Sequence, residues 1–246
     1  MKNLFLKIEP RKARPTTLWK MRGNILSKTV LGASNSQELI ELLANARLRN
    51  GLRASCAWVL GMIGDKHALP ALTSGLQADN KALIWECALA IAKIPGPMAE
   101  RVLMTELKRS VNPQRRMAAI SALGNIPSKK SVPHLVKILR DQRLPSRMRG
   151  EAADALGKIG NKEAVKPLLD ATYDKSSEVR FWAVYALGQT GDTNALGRLR
   201  ELARSDHAKL KQWGSISREA KDAEKQIMLA YRHAPARRQS TTKPAT

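Results

Sequence analysis

The chain writes nearly the same phrase twice, "CAWVLGMIGDKHALPAL" at 56–72 and "EAADALGKIGNKEAVKPLL" at 151–169. Internal repetition restricts a fold more tightly than any composition does, because each unit must find its missing core in the next copy of itself. Aligned on the glycine of the Leu-Gly pair, the repeat continues through Gly61, Ala92, Gly124, Gly157 and Gly188, with steps of 31, 32, 33 and 31 residues. One position earlier stand Leu60, Ile91, Leu123, Leu156 and Leu187. Four earlier come Ala57, Ala88, Ile120, Ala153 and Val184, and five earlier Cys56, Cys87, Ala119, Ala152 and Ala183. Offsets of one, four and five fall on one face of a helix. Small residues on that face admit a second helix at close range. Two positions after the glycine stand Ile63, Ile94, Ile126, Ile159 and Thr190.

A breaker follows in every copy: Gly64, Pro95, Pro127, Gly160 and Gly191. Glycine supplies the left-handed backbone that closes a helix, and proline forbids continuing it. A second apolar stretch then begins, as in "SVPHLVKIL" and "NALGRLREL". Each unit is therefore two antiparallel helices, unable to bury its apolar faces without neighbours. Before the first full unit, "NSQELIELLANARL" reads as the second helix of an incomplete one. The expected fold is all-α, a right-handed α-solenoid of about five to six stacked hairpins. Four of the first helices carry an arginine eight positions before the glycine, Arg53, Arg116, Arg149 and Arg180. Its fixed register predicts a stacking ladder to an Asp or a loop carbonyl of the adjacent unit.

The motifs "VLGMIGD" (59–65), "ALGKIGN" (155–161) and "ALGQTGD" (186–192) resemble HEAT-like repeats of the phycobilisome-lyase type over roughly residues 36–205. The resemblance implies the solenoid, and such folds serve many unrelated tasks. Iron-binding HEAT-like hydroxylases pair His with Glu inside repeated helices, and no such pair occurs here. HEAT-like DNA glycosylases need an Asp beside Trp and Arg in a basic groove, and no Trp has an Asp one helical turn onward. Phycobilin lyase subunits share the motif itself, yet strong basicity gives no reason to favour a tetrapyrrole.

Charge sets the remaining expectations. The formal net charge is +22. Residues 29–206 carry 26 Lys or Arg against 17 Asp or Glu, so the excess is not confined to the ends. The expected organisation is a basic N-terminal segment with a capping helix at 1–35 and the repeats at 36–205. A C-terminal capping region at 206–233 and a disordered basic tail at 234–246 complete it. Within the cap, Ile227, Leu229 and Tyr231 are read as the packing residues. If second helices line a concave face, Arg101, Lys108, Lys137, Arg140, Lys166, Arg198, Arg200 and Arg204 form basic rows along it. Trp213, set among lysines in "KLKQWGS", is the candidate for stacking on a base.

These rows predict a binding or scaffold module. The first reading is nucleic acid, DNA or RNA, held by phosphate contacts with little base specificity; six such contacts would give a log–log salt slope of about −5. The alternative is an adaptor for an acidic peptide or subunit. A lyase-like or glycosylase-like enzyme comes last, and the reading leans away from an enzyme. No catalytic residue, cofactor or metal site is expected: the four histidines lack ligand-spaced neighbours. No apolar run approaches the ~18 residues of a bilayer span. The two cysteines read as small core residues of a reducing, cytoplasmic environment. Replacing Leu156 by Asp should collapse the stacking, since its burial alone contributes ~1.5–3 kcal/mol. A melting curve of the variant tests this; an unchanged midpoint would place that residue outside the core.

Overall fold

A computed structural model describes residues 35–233. The expected N-terminal capping helix and the tail at 234–246 lie outside the described residues. Those described form twelve α-helices: α1 (Ser36–Ala44), α2 (Asn50–Ile63), α3 (Leu69–Gly75), α4 (Lys81–Lys93), α5 (Pro97–Arg109), α6 (Pro113–Leu123), α7 (Val132–Arg140), α8 (Ser146–Ile159), α9 (Val165–Ala171), α10 (Ser177–Thr190), α11 (Leu196–Ser205) and α12 (Ile216–His233). A two-residue antiparallel ribbon, β1 (Lys209–Leu210) and β2 (Gly214–Ser215), separates α11 from α12. None of the helices is long and apolar enough to cross a membrane. The chain divides into two compact units, Met1–Ala118 and Ala119–Thr246.

Each unit is built by stacking hairpins. In the first, α2 packs on α4, while α1 lies against both α2 and α3. In the second, α8 packs on α10 and α10 on α12, with α7, α9 and α11 forming the other layer. The expected stripe is the core: Leu60, Ile91, Leu123, Leu156 and Leu187 are all fully buried, as are the residues four positions earlier. The position two after the glycine behaves differently. Ile94 is buried, but Ile63, the last residue of its helix, is 54% exposed.

The repeated glycine is a packing requirement. A Cβ built on Gly61 would stand 2.7 Å from Ala90 Cα, on Gly124 2.8 Å from Ala155 Cα, on Gly157 2.6 Å from Ala186 Cα and on Gly188 2.9 Å from Ala223 Cα. Real Cβ atoms do not approach backbone that closely, so each first helix touches the next backbone to backbone at this point. The turn that follows is equally regular. Gly64, Gly160 and Gly191 take the left-handed conformation at φ 75°, 64° and 68°. The next residue, Asp65, Asn161 or Asp192, accepts the backbone N–H two positions on through its side chain. Ser128 does the same after Pro127. A single 3-10 turn then leads into α3, α7, α9 and α11, with Pro70 and Pro133 at initial positions needing no backbone donor, while α5 starts directly at Pro97.

Arginines of the ladder face their own seam. Arg53 Nε donates to the Leu43 carbonyl at 2.8 Å. Arg149 is bound to the Asp174 carboxylate, with side chains only 3% and 4% exposed, and Gln142 Nε2 donates to the same oxygen at 2.8 Å. Arg180 Nη1 donates to the Asp174 carbonyl at 3.0 Å while its Nε reaches Asp206 Oδ2 at 2.7 Å. Asp174 thus joins two successive first helices. Burial pushes its carboxyl upward, but hydrogen bonds from Arg149, Gln142 and the Ser176 N–H outweigh burial and hold it below the usual range. Asp206 is lowered in the same way, by Arg180 and the Ala208 N–H against burial.

The cap corrects one detail of the expectation. Ile227 is fully buried on α12, but Leu229 and Tyr231 are 44% and 67% exposed, since Ala220, Ala223 and Ile227 already form the contact face.

Two outcomes follow from this packing. Gly157→Val should force the Ala186 backbone away and unfold the second unit at lower temperature, by overpacking worth ~1–3 kcal/mol or more; differential scanning calorimetry reads the shift. Arg149→Ala should cost ~3–5 kcal/mol near neutral pH by stranding a buried carboxylate. Because the native Asp174 carboxyl is lowered, the stability it contributes is complete above the ordinary carboxylate value of ~4. It is lost as pH falls through the lowered native value. Denaturant midpoints of wild type and variant should therefore converge on acidification.

Candidate functional site

The sequence-chosen cations lie on second helices. Arg101 and Lys108 belong to α5 in the first unit; Lys137 and Arg140 to α7, Lys166 to α9, and Arg198, Arg200 and Arg204 to α11 in the second. Apart from Arg198, whose side chain is 13% exposed, spacing along each helix places them outward, opposite buried Leu103, Leu135, Leu139, Leu168, Leu199 and Leu202.

Half of these cations already hold a carboxylate. Arg140 Nη2 donates to Asp170 Oδ2 at 3.1 Å, and Lys166 Nζ reaches the other oxygen of Asp170 at 3.4 Å. Arg200 Nε pairs with Glu224 on α12 at 2.7 Å. Arg198 is the most confined: its Nε donates to Thr172 Oγ1 at 2.9 Å, its Nη2 to the Thr172 carbonyl at 3.1 Å, and its Nη1 sits 2.6 Å from Glu201. The same guanidinium lies 3.6 Å over the ring of Tyr173. Arg204 Nε turns back to the Arg200 carbonyl at 3.2 Å. Arg101, Lys108, Lys137 and Arg204 form no ion pair among the described residues. Asp170 and Glu201, on α9 and α11, and Glu224 on α12 thus offset part of the positive charge of these rows.

Trp213 does not stand free either. Its ring meets Trp182 edge-on, with centroids 5.0 Å apart, and Trp182 in turn contacts Phe181 and Tyr185. The ribbon of β1 and β2 places Trp213 there, and Gly150 leaves room for Trp182, whose Cδ1 would lie 2.7 Å from an added Cβ.

One open recess of about 640 Å³ lies on α7 and the loop after it. Pro133 and Val136 give it an apolar wall, and Lys137, Arg140, Gln142 and Arg143 surround it. Arg143 loops back on Asp141, Nε to Oδ1 at 3.0 Å. Its guanidinium, then its backbone N–H, hold the Asp141 carboxyl below the usual range, and the Arg143 value rises correspondingly. Arg143 remains 90% exposed and Lys166 83%. Arg143 lies outside the basic rows chosen from the sequence, and so do Pro133 and Val136. Their one-turn spacing from Lys137 and Arg140 was the available signal.

Among the described residues no group of three or more His, Cys, Asp or Glu is placed to hold a metal ion. Cys56 and Cys87 are buried thiols; burial pushes them up to about 11 and about 12, so neither ionises near neutral pH.

Comparison with known proteins gives the lineage. The family described as HEAT repeats matches residues 99–173 and 145–216, and the PBS lyase HEAT-like repeat matches 52–78. The chain is 31% identical over 190 residues to deoxyhypusine hydroxylase of Candida glabrata, covering 73% of this chain and 56% of that protein. It is 26% identical over 182 residues to deoxyhypusine hydroxylase of Saccharomyces cerevisiae, covering 70% and 54%. The chain thus spans about half the length of the curated relatives it matches. Among solved structures, human deoxyhypusine hydroxylase aligns at TM-score 0.42 and 18% identity, over 92% of this chain and 93% of that one. The CpcE–CpcF complex of phycocyanin lyase from Nostoc aligns at TM-score 0.48 and 18% identity, over 85% and 87%.

These relatives correct two expectations. They are named as enzymes, which overturns both the nucleic-acid-binding scaffold and the leaning away from catalysis. Net positive charge had carried the earlier reading. Charge reports on the sign of a partner and leaves the partner's class open.

Proposed function

We propose, for a chain that belongs to the HEAT-like repeat proteins, that it is an enzyme acting on a protein side chain, a hydroxylase of the kind its curated relatives are named for. The 31% identity over 190 residues to deoxyhypusine hydroxylase carries this reading. Deoxyhypusine is a modified lysine, so the substrate is a protein. A protein substrate calls for a broad exposed face rather than an enclosed cavity. The open recess of the second unit and its rim of half-exposed cations suit that need.

The donor set sets a boundary on the chemistry. Iron-binding hydroxylases built on this repeat pair His with Glu on repeated helices, whereas the described residues provide no such cluster. Among the described residues no set fits a metal, and no step is assigned to one. What these helices contribute is recognition: α7, α9 and α11 hold the protein whose side chain is modified.

The reaction itself is the test. A protein bearing deoxyhypusine, incubated with the full chain, iron(II), dioxygen and a two-electron reductant such as ascorbate, should gain one oxygen atom at the modified lysine while the second leaves as water, read by intact-protein and peptide mass spectrometry. No gain above the enzyme-free control would overturn the reading.

A further inference from the structure

We propose that the recess on α7 binds an acidic segment carrying an apolar residue, and that this segment belongs to the substrate protein. The second clause rests on the functional reading above; the first stands on geometry. Lys137, Arg140 and Arg143 ring the recess, and Lys166 adjoins it through Asp170. Against these four cations stand the carboxylates of Asp141 and Asp170, which leaves two positive charges uncompensated locally. Lys137 has no ion pair among the described residues, and Arg140 and Lys166 divide a single carboxylate between them.

Those pairs are exchangeable. Arg140 and Asp170 are 56% and 47% exposed at 3.1 Å, and ion pairs of such exposure contribute little in water. An incoming carboxylate can therefore take Arg140 or Lys166 without dismantling the fold. The buried Arg149–Asp174 pair beneath the same loop keeps α8 in place. Pro133 and Val136 line the recess one turn before Lys137 and Arg140, so an apolar side chain and a carboxylate from one extended segment can be engaged together.

The same geometry disfavours a nucleic acid as occupant. Base stacking needs an open aromatic face. None of the residues lining the recess is aromatic.

Fluorescence anisotropy of a labelled peptide alternating Glu and Leu, titrated with the full chain, tests the site. Binding should weaken with salt and fall by tenfold or more in Lys137→Glu/Arg140→Glu, on the order expected for reversing close charge pairs. Lys221→Glu, an exposed lysine of α12, should bind as wild type. Asp170→Asn, which releases Arg140 and Lys166, should bind several-fold tighter. Circular dichroism melts confirm that each variant is folded. Failure of the peptide to bind, or equal affinity after charge reversal, overturns the proposal. A single-stranded oligonucleotide binding more tightly through the same residues overturns it as well. The assay requires no turnover: peptide binding without hydroxylation leaves this site standing and removes the enzymatic reading, while hydroxylation without peptide binding does the reverse.

Discussion

The repeats depend on one contact, the approach of a Leu-Gly glycine to an alanine of the next first helix. At Gly61, Gly124, Gly157 and Gly188 the space for a Cβ is already taken by the neighbour's backbone and Cβ atoms. That closeness brings the fully buried Leu60, Leu123, Leu156 and Leu187 into the seam between helices. It also explains a core built from Ala, Leu and Val with few aromatics. Helices this near leave room for methyl groups and branched chains, and large rings fall at the margins, as Trp182 and Trp213 do.

Once the first helices are set at that spacing, polar groups at the seam have fixed addresses. Arg149, Asp174, Arg180 and Asp206 form a chain of charge-assisted bonds that ties successive hairpins through side chain and backbone alike. These arginines differ physically from those of the outer helices. A buried guanidinium cannot be withdrawn without stranding its carboxylate, so it serves architecture. Arg140, 56% exposed beside a half-exposed Asp170, loses little on changing partner. Register, eight positions before the glycine, marks the first kind in the sequence, and depth gives the physical reason it acts as a strut.

The functional reading moved for a related reason. Excess positive charge suggested a polyanion, yet Arg140, Lys166, Arg198 and Arg200 meet acids supplied by other turns or helices. The kinship to deoxyhypusine hydroxylases is spread over 190 residues and concentrated in no short motif. A reading that looks for paired His and Glu passes over it. Among the described residues no group of three or more His, Cys, Asp or Glu is placed to hold a metal ion.

The stripe of Leu60, Ile91 and Leu156, the left-handed glycines after each first helix and the arginine register were all legible from the chain. Each follows from helical periodicity or from the backbone freedom of single residues, and these act over a few positions. The repetition then determined the stacking, because one hairpin cannot cover its own apolar side. The recess and its charge were settled only by tertiary structure. Arg140 meets Asp170 thirty residues away, Arg198 settles over Tyr173, and Trp213 reaches Trp182 through a ribbon that interrupts the repeat. Such pairings depend on which side chains face each other across a seam, and separations of one repeat or more carry no local signature.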